Sequence, residues 1–436
     1  IGIMTKKIRH LAAGLDNILK TRPLVYLNGP RQTGKSTLAQ MADVGANYVS
    51  FDSPVALAGA KADPAGFVNS LPSGCLNIID EVQMAPEIFP HLKMAIDRNR
   101  PACKYLLTGS ANVMALPALA EALVGRMAIM TLLPFSTAEY LGFPAGIIDA
   151  LFDAALTTGK IEKSSLLDDM TYATFPEIAL CGEIDRTQWL NDYIMTLLHR
   201  DMRALAEVRK PEQLFSLLSV LSMRAGGLLN DASVHAELGM NAITYQRYKA
   251  LLINIFLIFE LKPWTLPHKL NKRFTKSPKL YFNDVNILTY LMRRNLEDLY
   301  RDDRTAFGRV FENYVVTEII KHASGRADIG VSFFRLSDGT EIDIVLERSN
   351  GDIVGIEIKA SESVDANDAK NFSKLKAIAG DRFKRGFVVY TGTESAPLGE
   401  NIRALPVTCL RGMKSRLAKE QSSTSACLKA MGFSDH

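Results

Sequence analysis

The run Gly29-Pro30-Arg31-Gln32-Thr33-Gly34-Lys35-Ser36 constrains this chain more than any other feature. It satisfies GxxxxGK[ST], follows an apolar strand-like segment, LVYLN, and precedes a helix-prone one, TLAQMA. That order lets backbone N–H groups wrap a phosphate at a helix N-terminus, where the dipole favours negative charge. The loop from Gly29 to Ser36, supported by Thr37, is therefore expected to cradle the phosphates of ATP. Lys35 would reach the β- and γ-phosphates, and the Ser36 hydroxyl would ligate Mg2+.

The surrounding 140 residues alternate short apolar runs with helical stretches, the pattern of a parallel sheet flanked by helices. Leu24–Leu27, Tyr48–Phe51, Leu76–Ile79 and Lys104–Leu107 are the expected strands. Their unbroken hydrophobicity suits burial on both faces. In Leu76-Asn-Ile-Ile-Asp80-Glu81 an acidic pair ends such a strand. Asp80 suits the magnesium shell and Glu81 is placed to polarise an attacking water; a lone Asp would equally suit a kinase. Thr108 and Ser110, at the tip of the Lys104 strand, would lie near the γ-phosphate if that strand neighbours the acidic one. Arg126, in Val124-Gly-Arg126, could stabilise transition-state charge in cis or from a neighbouring copy in a homo-oligomer. Asp52 is a weaker polar candidate.

The set GPRQTGKS, LNIIDE, LLTGS, LVGRM and LPFSTAEYL, in this order, resembles the AAA-type ATPases that carry a DUF4143 C-terminal region. Trp189-x-x-x-Tyr193 with Arg200-Asp201, LYFNDVNILTYL at Leu280–Leu291, and Gly308-Arg-Val-Phe-Glu312-Asn extend the likeness over most of the chain. One departure is Tyr172-Ala-Thr-Phe-Pro176-Glu177, where that family usually has two glycines before Pro-Glu. The resemblance implies ATP binding by a protein whose physiological task the family does not define.

Asp231–Asn241 reads as a short capped helix closed at Gly239, and Ala242–Ile253 as a second helix with Tyr245, Tyr248 and Leu252 on one face. The apolar run IFLIFEL follows, and the whole suggests a winged helix-turn-helix. Gln246, Arg247 and Lys249 are the available readers of a base or phosphate. Lys262, Lys269, Lys272, Arg273, Lys276 and Lys279 occur with no acidic residue between them. This stretch, Lys262–Lys279, is the candidate DNA-binding surface. A solvated hairpin or a structural linker would look the same.

Near the C-terminus, Glu341-Ile-Asp343 is followed by Glu357-Ile-Lys359. Strand alternation places Glu341 with Asp343 on one face, and Glu357 with Lys359 on one face of the next strand. Paired as a hairpin around Asn350-Gly351, the strands would bring Asp343 and Glu357 onto one divalent ion, with Lys359 near its water or the scissile phosphate. The spacing resembles the PD-(D/E)xK nuclease core. The resemblance implies a completing Glu on the preceding helix, for which Glu312 matches better than Glu318. Surface charge and a nuclease fold that only binds are the competing readings.

The expected fold class is thus α/β: a P-loop NTPase core with a parallel sheet (1–142), a helical connector (143–209), a winged-helix-like unit (210–300), a restriction-endonuclease-like domain (301–412) and a tail (413–436). The expected function is a Mg2+-dependent ATPase coupled to a DNA-binding or nuclease-like module. The alternative is a nucleotide-switched interaction protein whose nuclease-like domain is a catalytically inactive dock. A metabolite kinase is disfavoured by Asp80-Glu81. Of 436 residues, 47% are hydrophobic, which excludes a disordered chain, and no apolar stretch is long enough for a membrane helix. The run IGIMTKKIRHLAAGL lacks an apolar core with a cleavage site, so secretion is not expected. Five scattered cysteines without a CxxC pair fit a reducing cytoplasm. A net charge of +4 says nothing of partners until its local distribution is considered.

Overall fold

The computed structural model describes residues 7–98, 104–110, 112, 125–153, 166–198, 211–265 and 277–412. The N-terminal unit opens with α1 (Leu11–Thr21) and β1 (Leu24–Asn28), then α2 (Lys35–Met41), β2 (Asn47–Ser50), α3 (Pro54–Ala62) and α4 (Pro64–Ser70). It continues through β3 (Leu76–Asp80), α5 (Phe89–Arg98), β4 (Lys104–Gly109), β5 (Met127–Thr131) and α6 (Thr137–Leu141). The strands form one parallel sheet in the order β2-β3-β4-β1-β5. All four expected strands are present, and β5 is an additional edge.

Alternate residues of β1 serve two apolar layers. Leu24 and Tyr26 join the layer of Ile79 and Phe89, while Val25 and Leu27 join that of Leu15 and Leu38. Because the strands run one way, their C-terminal ends share one edge. Register sets Leu27 beside Thr108 and Ser50 beside Asp80 on that edge. The loop after β1 must therefore face the ends of β3 and β4.

The rest of the chain begins with α7 (Ile147–Phe152), α8 (Leu166–Tyr172), α9 (Pro176–Leu180) and α10 (Arg186–Thr196). Three helices, α11 (Pro211–Ser222), α12 (Asp231–Glu237) and α13 (Ala242–Asn254), precede an antiparallel pair, β6 (Ile258–Leu261) and β7 (Lys279–Phe282). Then come α14 (Val285–Leu291), α15 (Leu296–Asp302) and the long α16 (Arg304–Ala323). A mixed sheet in the order β12-β13-β11-β10-β9-β8 completes the fold. Its strands are β8 (Ile329–Arg335), β9 (Glu341–Arg348), β10 (Ile353–Lys359), β11 (Phe383–Tyr390), β12 (Pro397–Gly399) and β13 (Ile402–Pro406), with α17 (Phe372–Ala379) between β10 and β11. Apolar residues of α17, Phe372 and Leu375, pack with Ile353 and Val388 of this sheet.

One apolar cluster runs from Ile147 to Leu410, taking in the helices from α7 to α16 and one face of the C-terminal sheet. Segments 143–209, 210–300 and 301–412 thus share a core. The α16 helix is buried along most of its length and also meets the N-terminal unit. Its Glu318 carboxylate, 0% exposed, accepts the Thr137 N–H at the start of α6 at 2.8 Å and the Lys321 ammonium at 3.0 Å. Lys321 also donates to the carbonyls of Phe135 and Ala173, at 2.9 and 3.1 Å, so this buried charge pair is fully partnered. Among the described residues no helix is long and apolar enough to cross a membrane.

Candidate functional site

The loop between β1 and α2 owes its shape to two glycines and one strained residue. Gly29 has φ +144°, and a Cβ there would lie 2.2 Å from the Leu132 carbonyl oxygen. Gly34 caps α2 at φ +87°, and Gln32 holds φ +60° between them. The Lys35 ammonium, buried, donates to the carbonyls of Gly29 (3.1 Å) and Pro30 (2.7 Å). Thr33 Oγ1 donates to the Pro30 carbonyl at 3.0 Å. From outside the loop, the Arg9 guanidinium donates to the Thr33 carbonyl at 2.7 Å and pairs with Glu139. Arg31 offers its carbonyl to the Tyr193 hydroxyl at 3.4 Å.

Asp80 is the hub of the site. Its carboxylate accepts from the Ser36 hydroxyl at 2.9 and 3.0 Å, from the Tyr48 hydroxyl at 2.8 Å, and from Thr108. Burial and the hydrogen bond to Asp80 push the Tyr48 hydroxyl up to about 12. Glu81 follows at φ +56°, a conformation that costs a non-glycine residue on the order of 1 kcal/mol. Its N–H donates to Thr108 Oγ1 at 3.3 Å, and Gln83 Nε2 holds its carboxylate while also reaching Ser110 Oγ at 3.2 Å. The strand register thus brings together Lys35, Ser36, Asp80, Glu81, Thr108 and Ser110. A hydroxyl and a carboxylate this close, at a helix N-terminus, are an oxygen pair suited to Mg2+.

Two cavities flank the loop. One, of about 550 Å³, is lined by Lys35, Ser36 and Glu81 on one side and by Trp189, Asp192 and Tyr193 of α10 on the other. The second, of about 390 Å³, lies beside Gly34 and Thr37 and is walled by Leu15, Leu38, Met41 and Phe135. Its walls are largely apolar.

Arg126 does not belong to this site in its own chain. It precedes β5, whose Met127 pairs with Leu24, so it sits at the opposite edge of the sheet from the loop. Four residues of strand, roughly 13 Å, separate the two edges. Its guanidinium instead forms a two-pronged bond with Asp97, at 2.6 and 2.9 Å. The cis role is corrected on that ground. Asp52 is exposed and takes no part in the Asp80 hub.

Some of the residues expected to meet DNA are committed elsewhere. Lys249 is buried and bonds Asp231 and Glu260, each at 2.9 Å, and Gln246 also donates to Asp231. Arg247 is exposed. Lys269, Lys272, Arg273 and Lys276 lie outside the described residues, as do Arg200, Asp201 and the tail 413–436. Lys279 is not a surface cation at all: it is 2% exposed.

Lys279 instead enters the C-terminal carboxylate group. Its ammonium lies 2.9 Å from Glu312, 2.9 Å from Asp343 and 2.5 Å from Glu341. Burial alone would lower it, but Asp343, Tyr281, Glu312 and Glu341 raise it well above the ordinary lysine range. The expected β9–β10 hairpin is present, with Ile344 opposite Ile356, and Asp343 Oδ2 accepts the Ile358 N–H at 2.9 Å. Glu357 bonds Lys359 at 2.9 Å through Oε1, and its Oε2 is buried without a hydrogen-bond partner. Burial and then the Asp343 charge push Glu312 up to about 7 and Glu357 up to about 8. Among the described residues, no three or more His, Cys, Asp or Glu side chains are grouped so as to hold a metal ion. A divalent ion does not fit Glu312, Asp343 and Glu357 as they stand, because an ammonium already contacts two of the three.

Sequence reasoning missed Arg9, Tyr48, Gln83, Trp189 and the inward turn of Lys279. For Arg9, Tyr48, Gln83 and Trp189 nothing local marks the role, since each reaches the site only through the tertiary fold. Lys279 carried a misleading signal, as the last member of a basic run.

Three family models match successive stretches of the chain. Residues 21–141 match the model of the AAA domain, 164–298 a domain of unknown function (DUF8612) and 307–410 a domain of unknown function (DUF4143). The N-terminal unit is thus similar to the AAA domain over residues 21–141. Uncharacterized proteins of Mycobacterium tuberculosis and Mycobacterium bovis are each 26% identical over 408 residues, 93% of this chain and 85% of theirs. Among solved structures, the RuvB Holliday junction branch migration motor of Thermotoga maritima is 21% identical, covering 57% of this chain and 86% of its own, with a TM-score of 0.28. The Walker-type ATPase of Pyrococcus abyssi is 14% identical, covering 66% and 99%, with a TM-score of 0.37. Scores that low carry no weight for the architecture or function of this chain.

Proposed function

We propose that this chain is a Mg2+-dependent ATPase whose nucleotide cycle is transmitted to a C-terminal docking module. The observation that carries it is the Ser36–Asp80–Thr108 hub beside Lys35, with Glu81 on its rim and a cavity in front. In this reading the triphosphate lies along the loop N–H groups, and the apolar cavity by Leu38 and Phe135 takes the base. Mg2+, when bound, supplies positive charge to the β- and γ-oxygens. Ser36 and Asp80 would hold it. Lys35 contacts the γ-phosphate, Glu81 orients and deprotonates water, and Gln83 keeps the Glu81 carboxylate aimed.

The readout is proposed to run through α10 and α16. The first walls the nucleotide cavity with Trp189 and Tyr193, and the second binds the N-terminal unit through Glu318. We read α11–α13 with β6–β7 as a winged-helix unit, and α16 with the β8–β11 strands as a restriction-endonuclease-like fold; the order of elements supports both. The Lys279 contacts favour the docking form of that fold over the cleaving one. A DNA contact through Lys262–Lys279 has less support, since Lys249 and Lys279 are withdrawn into buried ion pairs, and the proposal does not rest on it.

Trp189 gives the test. Adding ATP with Mg2+ should change its fluorescence saturably, and Lys35→Ala should weaken the apparent affinity at least 10-fold. An unchanged affinity in Lys35→Ala would contradict the assignment.

A further inference from the structure

We infer that Lys279 stands where a nuclease of this architecture would hold a metal ion, so that the C-terminal carboxylate cluster is a lysine-clamped joint and not a catalytic centre. Carboxylates from two elements, Glu312 of α16 and Glu341 and Asp343 of β9, converge on one nitrogen at 2.9, 2.5 and 2.9 Å. An ammonium has three donors; here it donates to Glu312 and Asp343 and forms a close ion pair with Glu341. The same carboxylates take further bonds. Glu312 Oε1 accepts from the Tyr281 hydroxyl at 2.7 Å, and Asp343 Oδ2 from the Ile358 N–H at 2.9 Å.

The nitrogen is held from behind as well. Lys279 pairs with Leu261 within the β6–β7 ladder and with Leu228 in an isolated bridge. Next to it, Leu280 exchanges backbone hydrogen bonds with Gly226 and Gly227, at 2.8 and 3.2 Å. Further along, Phe282 bonds the Asn313 amide of α16 both ways, at 2.8 and 2.9 Å. Moving the ammonium aside for a divalent ion would leave a buried lysine beside a second cation, or require β7 to peel from α16. Of the remaining members of the expected site, Lys359 pairs with Glu357 Oε1 at 2.9 Å, which leaves only the buried Glu357 Oε2 without a hydrogen-bond partner in this pair. The joint therefore ties the hairpin that follows α13 to both α16 and β9. Displacements of the helical block then reach the C-terminal sheet without a metal.

This inference concerns a different site from the nucleotide loop, and its test separates the two. Mn2+ bound to the full chain is counted by equilibrium dialysis with and without ADP. The wild type should hold no Mn2+ in the C-terminal cluster, so Asp343→Asn should leave its stoichiometry unchanged under both conditions. Lys279→Met, which keeps length and removes charge, should gain one nucleotide-independent Mn2+ per chain, lost again on adding Asp343→Asn. Mn2+ bound by the wild type without nucleotide and removed by Asp343→Asn would overturn the inference. So would a folded Lys279→Met that gains no ion. Should Lys279→Met fail to fold, the wild type against Asp343→Asn decides alone. Any Mn2+ that appears only with ADP reports on the nucleotide site and leaves this comparison untouched.

Discussion

A single missing methyl group shapes the nucleotide loop. At Gly29 the backbone passes so close to the Leu132 carbonyl that a Cβ would stand 2.2 Å from its oxygen, and backbone cannot move aside cheaply. Gly29→Ala should therefore lower stability by about 1–3 kcal/mol and weaken ATP binding, read as a lower Tm together with a raised Kd. A variant with wild-type values for both would show that the close approach has no bearing on the loop. The loop itself was legible because its information is local: strand, glycines, lysine and hydroxyl fall within thirteen consecutive residues, Leu24–Ser36. Asp80, Glu81 and Thr108 were legible for a related reason, as polar residues at the ends of apolar runs. Tyr48 and Gln83 were not, because a hydroxyl 32 residues from Asp80 and an amide beside a turn carry no pattern. Arg126 stayed open between a role in cis and one in trans, since nothing local says at which end of the sheet it lies.

Among the elements, α16 does the most to join the molecule. Glu312 and Glu318 are six residues apart, about 120° round the helix, and they face different partners. Glu312 meets Lys279, and Glu318 meets Thr137 and Lys321. Removing one member of a buried pair leaves the other charge uncompensated, which costs about 3–5 kcal/mol. Glu318→Ala should lower the unfolding free energy from denaturant titration by that amount and loosen the junction between α16 and α6. A loss below about 1 kcal/mol, the range of an exposed pair, would contradict a structural role for this contact. The alternation in Glu341-Ile-Asp343 and Glu357-Ile-Lys359, with Asn350-Gly351 between them, made β9 and β10 legible. Their partners were not. The inward turn of Lys279 depends on β7 pairing with β6 across a 17-residue gap, and no local rule distinguishes it from the other cations of its run.

For the whole molecule, the near balance of charge conceals how the charges are used. Lys249, Lys279 and Lys321 each sit in buried ion pairs, and Arg9 holds the nucleotide loop from behind. Two cations that suggest a polyanion surface in sequence, Lys249 and Lys279, thus act as internal fasteners. Segments 143–209, 210–300 and 301–412 were separable by pattern, yet they share one apolar cluster. Sequence pattern marks where elements change, and burial shows which of them share a core. The loop carrying Lys35 lies at the boundary between this shared core and the N-terminal sheet: it faces α10 across one cavity, and Arg9, Glu139 and α6 connect it to α16. The central claim is that Glu81 activates water for ATP hydrolysis at that boundary. Single-turnover hydrolysis of γ-labelled ATP by the wild type and Glu81→Gln tests it most directly. Binding should be retained while the hydrolysis rate falls by about 100-fold or more, the usual contribution of a general base; equal rates in the two proteins would contradict the account.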